Sequence, residues 1–278
     1  MPGTERHFYA GFLDRGQGFI TVELTTNGVP VHLDIRRLPE GAVQTRREFL
    51  SAPKKFQSHG TGGHPHLAAS PDGQWLALAQ TDGARVSNLH VYDIPTGRFV
   101  TQLPGLPRAI LSCLRASPDS RWLVRLEHHN GDNWITTYDA HTWRLQREIH
   151  FRSAGNDVMF ATIDPSSRTI ATGGLNENSL RIWDLLTGRL VAHCNIGNLE
   201  WHPVWSQDGR TLVVSERGNL RFWSMLVFRE LAAFTKDTHT AHFPLGFTAD
   251  GRALVTRTGA DSVQTWSPPA LSKIDLQP

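Results

Sequence analysis

Fourteen histidines stand out among the residues of this chain that can do chemistry. His64-Pro65-His66 and His239-Thr240-Ala241-His242 hold close pairs, His128 and His129 are adjacent, and His59 precedes them. Neutral imidazoles bind metals and transfer protons near neutral pH. A metal centre needs three or more ligands converging on one point, and a pair within a loop does not supply that. There is no His-Glu-x-x-His motif. The histidines are therefore expected in loops and between structural units. Gly60-Thr61-Gly62-Gly63 is glycine-rich, but no Lys-Ser/Thr follows, so it is neither a phosphate loop nor a dinucleotide fingerprint. No Gly-x-Ser-x-Gly nucleophile elbow is present. Asp14 with Glu23, or Asp157 with Asp164, can be imagined as a glycosidase pair. Turn capping is the commoner role for Asp. No catalytic, cofactor-binding or metal-ligating residue is assigned, and no cofactor is expected.

The bulk numbers agree with a globular chain. It has 278 residues, a length that all-β folds reach as one domain. Hydrophobic residues make up 39% and charged residues 19%, and the net charge is +2. That charge is too small for the concentrated basic stripe of a nucleic-acid protein. The dense basic runs, Arg36-Arg37, Arg46-Arg47 and Lys54-Lys55, read as solvated faces. Cys113 and Cys194 lie in separate apolar segments, where a reducing cytosol would leave them as small buried groups. No secretory leader is visible, and no stretch approaches the roughly 18 apolar residues of a membrane span. A cytoplasmic monomer, without nucleic acid or membrane as partner, is expected.

The positioning elements come from a repeat. LHVYDIPTGRFVTQL (89–103), ITTYDAHTWRLQREI (135–149), LRIWDLLTGRLVAHC (180–194) and LRFWSMLVFRELAAF (220–234) share one plan, and VQTWSPPALSKIDL (263–276) begins the same way. Each is a strand ending in Tyr or Trp, then Asp or Ser, a short turn and a second strand. A second signature precedes each: ASPDGQWLALA, ASPDSRWLVRL, IDPSSRTIATG, SQDGRTLVVSE and TADGRALVTRT. Asp and Gly suit its turn, since Asp bonds its own downstream backbone and Gly tolerates positive φ. A short apolar segment comes before that turn. The unit is therefore four strands, a to d. Its turn anchors Asp72, Asp119, Ser166, Asp208 and Asp250 recur every 42 to 47 residues, a period expected of four-stranded propeller blades. Asn88, Asn133, Asn178, Asn219 and Asp261 recur where a b–c hairpin turn is needed. Residues 5–50 read as a divergent first blade. In it AVQTRREFL is taken as a strand, with a short helix as the alternative. The segment 51–65 reads as a loop.

The predicted fold is all-β, a β-propeller of four-stranded antiparallel blades forming one domain over 1–278. Its blades are 5–50, 66–103, 108–150, 157–194, 200–234 and 241–276. Six blades are expected, with seven as the alternative. One four-stranded sheet cannot bury both faces alone; radial stacking packs each face on the next blade. Strand c shows the consequence, with large apolar groups on both faces: Val91 with Tyr92, Ile182 with Trp183, Phe222 with Trp223.

Ser70-Pro71-Asp72-Gly73, the apolar strand after it, Leu180-Arg181-Ile182-Trp183-Asp184 and Thr187-Gly188 together resemble WD40 repeats, particularly of the bacterial type. The resemblance covers about residues 58 to 267. The structural repeat residues are Asp72, Gly73, Tyr92, Asp93, Asp119, Tyr138, Asp139, Trp183, Asp184, Asp208, Gly209, Trp223, Asp250, Gly251 and Trp266. Trp-Asp survives once; Tyr92-Asp93, Tyr138-Asp139, Trp223-Ser224 and Trp266-Ser267 depart from it. Gly-His before strand a is mostly missing, so the His–Ser–Asp–Trp network of eukaryotic members is expected to be absent from most blades. The resemblance implies a scaffold that binds protein partners through a face around the central channel, and often a link to kinases or signalling modules. Trp134 and Trp143, less regular than the blade tryptophans, are candidate partner contacts. The competing reading is a propeller enzyme or ligand binder, lactonase-like or lyase-like. It requires His59, His64, His66, His128, His129, His239 and His242 to converge at one mouth.

Overall fold

Alternation of apolar residues with period two makes each described element a strand, and Gly or Asp at the ends makes each strand short. The computed structural model describes residues 6–13, 17–24, 30–38, 40–49, 66–81, 87–153, 158–174, 178–197, 199, 203–234, 242–248, 250–258 and 262–267. Blade 1 is β1 (Arg6–Leu13), β2 (Gly18–Leu24), β3 (Pro30–Arg37) and β4 (Val43–Glu48). Blade 2 is β5 (Leu67–Ala69), β6 (Trp75–Thr81), β7 (Ser87–Asp93) and β8 (Phe99–Leu103). Blade 3 is β9 (Ile110–Ala116), β10 (Trp122–His129), β11 (Asp132–Asp139) and β12 (Leu145–Arg152). Blade 4 is β13 (Phe160–Ile163), β14 (Thr169–Gly173), β15 (Ser179–Asp184) and β16 (Leu190–Asn195). Blade 5 is β17 (Val204–Trp205), β18 (Thr211–Glu216), β19 (Asn219–Ser224) and β20 (Arg229–Phe234). Blade 6 is β21 (His242–Phe247), β22 (Leu254–Thr258) and β23 (Ser262–Trp266).

Each sheet is an antiparallel meander in chain order, so the fold is a six-bladed β-propeller. AVQTRREFL is the strand β4, not a helix. The fourth strand expected at the end of blade 6, and the loop expected at 51–65, lie outside the described residues. The first strands touch in succession, β1 with β5, β5 with β9, β9 with β13, β13 with β17 and β17 with β21, and so line the axis.

The core is not one mass but a series of layers between blades. Ala10, Ile20 and Val22 of blade 1 pack with Leu76, Leu78 and Tyr92 of blade 2. The next layers join blades 2 and 3 around Trp75 and Tyr138, and blades 3 and 4 around Trp122 and Trp183. Two more join blades 4 and 5 around Ile182 and Trp223, and blades 5 and 6 around Leu220 and Leu254. The strand-c aromatic always faces the preceding blade, and the strand-b tryptophans, Trp75 and Trp122, face the following one. Cys113 and Cys194 are buried in these layers as free thiols.

The a–b turn shows why its sequence recurs. The Ser70 hydroxyl accepts from Gln74 N at 3.0 Å and Trp75 N at 2.9 Å, and Ser117 Oγ accepts from Trp122 N at 2.8 Å. Ser206 and Thr248 do the same for Thr211 and Ala253. Two residues on, Asp119, Asp208 and Asp250 accept from that hydroxyl at 2.5–2.6 Å. In blade 4 the two residue types trade places. Asp164 caps Arg168 N at 2.8 Å and Thr169 N at 2.6 Å, and the Ser166 hydroxyl donates to it. The turn thus needs one hydroxyl and one carboxylate two residues apart, in either order.

The residue after this pair has positive φ in every repeat: Gly73 (71°), Ser120 (63°), Ser167 (61°), Gly209 (69°) and Gly251 (69°). Serine is strained there. Its hydroxyl compensates by accepting from the preceding blade: Asp72 N to Ser120 Oγ at 3.0 Å, and Asp119 N to Ser167 Oγ at 3.0 Å. Two serines that look like lapses from a glycine pattern therefore clamp blade 2 to 3 and blade 3 to 4.

In the c–d turn, Asp93, Asp139 and Asp184 accept from the backbone N–H of Thr96, Thr142 and Thr187 at 2.8–2.9 Å. The Thr187 N–H holds the Asp184 carboxyl below its usual range. Asn178, at φ 52° between β14 and β15, stands where a turn is needed, but Asn88, Asn133 and Asn219 require a correction. The b–c turns of blades 3 and 5 are made by Asn130-Gly131 and Arg217-Gly218, all at positive φ as a type I′ hairpin demands. Asn133 and Asn219 lie on strand c beyond the turn. Asn88 and Asn133 instead accept from Gly105 N at 3.1 Å and Val158 N at 3.0 Å, pinning the link to the next blade.

In blades 4 and 6 strand b supplies a partner for the polar atom of the strand-c aromatic, two residues past the paired position, whereas in blade 2 that position is Leu78 and the Tyr92 hydroxyl has none. Trp183 Nε1 donates to Thr172 Oγ1 at 3.0 Å, and Trp266 Nε1 to Thr256 Oγ1 at 2.9 Å. In blade 1, Arg36 takes the aromatic's place and its Nε donates to Thr21 Oγ1 at 3.1 Å. In blade 5 the position is Val214, and the buried Trp223 indole N–H has no partner. Thr172→Val is expected to cost about 1–3 kcal/mol by orphaning Trp183, and Val214→Thr to raise the melting temperature; thermal denaturation of both variants checks this. Ser120→Ala keeps the strained φ and loses the clamp, so it should destabilise by about 1–2 kcal/mol, more than Ser120→Gly, in urea unfolding.

Candidate functional site

The first strands and the turns that follow them frame a cavity of about 1090 Å3 at one mouth of the channel. Arg115, Thr162, Val204, Trp205 and Leu245 line it, with Asp119 at its rim. Arg115 stands at a repeat position occupied by Ala68, Thr162, Val204 and Gly246 in other blades. Its Nε donates to the Ala161 carbonyl at 3.1 Å and its Nη1 to the Leu114 carbonyl at 2.9 Å. This orients the guanidinium across the channel wall. Burial, and then the Arg115 charge, push the His66 imidazole down to about 4, so it is neutral at physiological pH. Burial pushes the Tyr9 phenol up, against the pull of Arg115. The cavity thus sets one fixed guanidinium, Arg115, in the same wall as the Trp205 indole. Such a set suits an acidic or carbonyl-rich group of a partner, held by charge-assisted hydrogen bonds.

The same end carries both families of turns, because each c–d turn hangs on an a–b turn. Ile94 N donates to Gln74 O, Ala140 N to Arg121 O, Leu185 N to Arg168 O and Met225 N to Arg210 O, all at 2.8–2.9 Å. The tips of the c–d turns in blades 4 and 5 expose Leu186, Leu226 and Val227. Exposed apolar groups at the same end as a cavity are typical of a docking surface.

The candidate histidines are spread over several elements. His66 precedes β5, His128 and His129 end β10, and His242 begins β21. His59, His64 and His239 lie outside the described residues, as do Asp14, Asp157, Trp201 and Gly60–Gly63. His128 Nδ1 lies 2.5 Å from Ser112 Oγ, a contact that fills the bulge between β9 and β10; neither residue lines the cavity. His242 is buried edge-on to Trp266 with ring centres 5.2 Å apart. Among the described residues no three His, Cys, Asp or Glu converge as a metal site.

Trp143 follows β11 and is half-buried, at φ 56°, edge-on to Trp75 with centroids 5.5 Å apart. Trp134, near the start of β11, is half-buried and stacks on His150 at 5.1 Å. The length of β11 separates them, so they do not share a patch. The repeat residues Asp72 to Trp266 lie in the turns and strand-c positions already described.

The strongest charge burial lies elsewhere. Arg125 and Glu127 on β10 are both almost fully buried and pair at 2.5 Å. Arg125 Nη1 donates to Pro104 O at 2.7 Å, and Glu127 Oε1 accepts from Leu106 N at 3.3 Å. Burial pushes the Glu127 carboxyl up, against the pull of Arg125. The pair grips the segment joining blades 2 and 3, which is a structural task. Sequence reasoning missed Arg115 and Arg125; the readable signal was a lone charge at a repeat position that is otherwise small or apolar.

The site and fold define a six-bladed propeller with Arg115 in the wall of a channel-mouth cavity. No protein-family model matches the chain. A segment is 44% identical over 56 residues to the ribosome biogenesis protein ERB1 of Meyerozyma guilliermondii. That match covers 16% of this chain and 7% of that relative's length. Among solved structures, a chain from the crystal structure of the mitotic checkpoint complex superposes with a TM-score of 0.64 at 16% identity, over 94% of this chain and 75% of the other. That likeness is one of fold.

His66 sits below its ordinary 6.5 in the folded state, so the folded chain binds fewer protons there, and stability is lost as pH falls from about 6.5 toward 4. A histidine-resolved NMR titration should show no His66 transition between pH 5 and 8. Arg115→Gln should move that transition upward.

Proposed function

We propose that this chain is a WD40-type propeller that acts as a non-catalytic protein-interaction scaffold. The observation that carries the reading is the rim just described: Leu186, Leu226 and Val227 exposed on tied turns at the end of the propeller where Arg115 and Trp205 line a cavity. A rigid ring of sheets presents those groups with little entropy left to lose on binding. The repeated Asp, Ser and Thr residues are spent on turn hydrogen bonds rather than aimed at a reacting centre. The WD40-like repeat pattern, the short ERB1-like segment and the fold of the checkpoint-complex chain support the same reading. Buried free thiols fit a reducing, cytoplasmic setting.

The test is affinity capture with quantitative identification of co-purifying proteins, run on the wild type and on Leu186→Ser/Leu226→Ser/Val227→Ser, beside metal analysis of the purified chain. Proteins enriched by the wild type and lost by the triple variant, with thermal melting unchanged, are the expected result. No enriched protein together with stoichiometric metal would overturn the scaffold reading.

A further inference from the structure

After its positive-φ residue the a–b turn asks only for a backbone N–H and a backbone carbonyl, which any residue but proline supplies. Gln74 fills that place in blade 2, its N–H donating to Asp72 at 3.1 Å and its carbonyl accepting from Ile94 N at 2.9 Å. Blades 3 to 6 put arginine there instead. Arg121, Arg168, Arg210 and Arg252 make the same backbone contact, donating to Asp119, Asp164, Asp208 and Asp250 at 2.8–3.1 Å. The turn therefore does not account for their side chains, and all four are exposed. Arg121 lies over the Trp122 ring at 4.4 Å, and Arg168 reaches Asp184 at 3.4 Å.

The c–d turn repeats this. The carbonyls of Arg98, Arg144 and Arg189 accept from Asp93, Asp139 and Asp184 N at 2.9–3.0 Å, and Arg229 pairs with Ser224 at the matching place. These side chains are exposed too. Both turns lie at one end of the propeller, because each c–d turn hangs on an a–b turn. Blades 3, 4 and 5 thus each present two guanidiniums there. The cavity walled by Arg115 opens among the same a–b turns, with Pro118, Pro165 and Gln207 in its lining. Apolar tips share these turns with the cations: exposed Leu186 precedes Arg189, and exposed Leu226 and Val227 precede Arg229.

Aspartates are nearly as many at this end, but they are turned inward. Asp119, Asp208 and Asp250 accept from an N–H and a hydroxyl of their own turns. Asp139 and Asp184 each accept from two N–H groups and one hydroxyl. An aspartate held this way keeps its charge against the backbone, whereas arginine carries its charge several bonds farther out. The outer layer is guanidinium, the inner one carboxylate. A guanidinium fork matches a carboxylate with two parallel hydrogen bonds. A nucleic acid wants an unbroken basic stripe; aspartates interrupt this one, and phosphates offer nothing to the apolar tips.

We propose that an acidic segment of a partner protein lies across the a–b and c–d turns of blades 3 to 5. Its carboxylates pair with Arg144, Arg168, Arg189, Arg210 and Arg229, and its apolar side chains cover Leu186, Leu226 and Val227. The proposal rests on the scaffold reading and adds the partner's chemistry to it.

A display library of random peptides, selected on the immobilised full chain, tests this. The selected peptides should be enriched in Asp and Glu, with apolar residues between them. The best of them, synthesised and labelled, should bind Arg189→Glu/Arg210→Glu/Arg229→Glu at least about tenfold more weakly in fluorescence anisotropy, and should lose affinity as salt rises. Arg189→Gln/Arg210→Gln/Arg229→Gln, which adds no new charge, should weaken binding in the same direction. Arg152→Glu, at the other end of β12, should change affinity by less than about twofold. Because the turns use only the backbone of these arginines, the melting midpoints of all three variants should stay within about 2 °C of wild type. Selected peptides without an acidic excess, no selected peptide at all, or an affinity that the triple variants leave within about twofold would overturn the proposal. So would a duplex DNA that binds more tightly than the peptide and is lost in the same variants, which assigns this end to nucleic acid. The capture experiment separates the two readings. Proteins lost by Leu186→Ser/Leu226→Ser/Val227→Ser but kept by the Arg→Glu variant leave the scaffold standing and sink the acidic partner, whereas no captured protein sinks the scaffold.

Discussion

A four-stranded sheet has two faces and no way to bury either by itself, and this constraint governs the molecule. Each blade is stable only because its neighbours cover it. The apolar layers around Trp75, Trp122, Trp183 and Trp223 are therefore the core, and the interior of a single sheet is not. At roughly 25 cal/mol per Å2 of apolar surface, one indole buried between sheets outweighs any single turn hydrogen bond.

Polar chemistry in the turns sets how the layers are spaced. Hydroxyl and carboxylate pairs cap the start of strand b, aspartates cap the c–d turns, and Asn88 and Asn133 hold the links between blades. The Ser120 and Ser167 clamps and the Arg125–Glu127 pair then join neighbouring blades through hydrogen bonds rather than apolar contact. These polar links tie the turns at the rims to the apolar layers between sheets. That rigidity lets the channel mouth hold Arg115, Thr162 and Trp205 in fixed relation.

Much of the architecture was legible because it is local. Asp-Gly turns, alternating strands and the recurring strand-c aromatic all follow from nearest-neighbour backbone rules, and the 42 to 47 residue spacing counts the units. What could not be read is where side chains from different repeats meet. Asn133 looked like a turn residue because it stands close to one; its hydrogen bond goes to Val158 in the next link. Trp134 and Trp143 are both candidate contacts by their irregular place in the repeat, yet a strand carries them to opposite ends of a sheet. The candidate site was the least legible part, since Arg115, Thr162 and Trp205 come from three blades and no local pattern connects them.

The sequence by itself determined the repeat, the strand order within each blade and the side of each strand that had to be buried, because a period of two and a turn every few residues leave the backbone little choice. The tertiary structure alone decided which polar atoms find partners, which serine tolerates positive φ, and which of two chemically similar faces is covered. Those outcomes depend on blade-to-blade distances, and a distance between repeats is set by how a whole series of sheets packs, not by any residue in one of them.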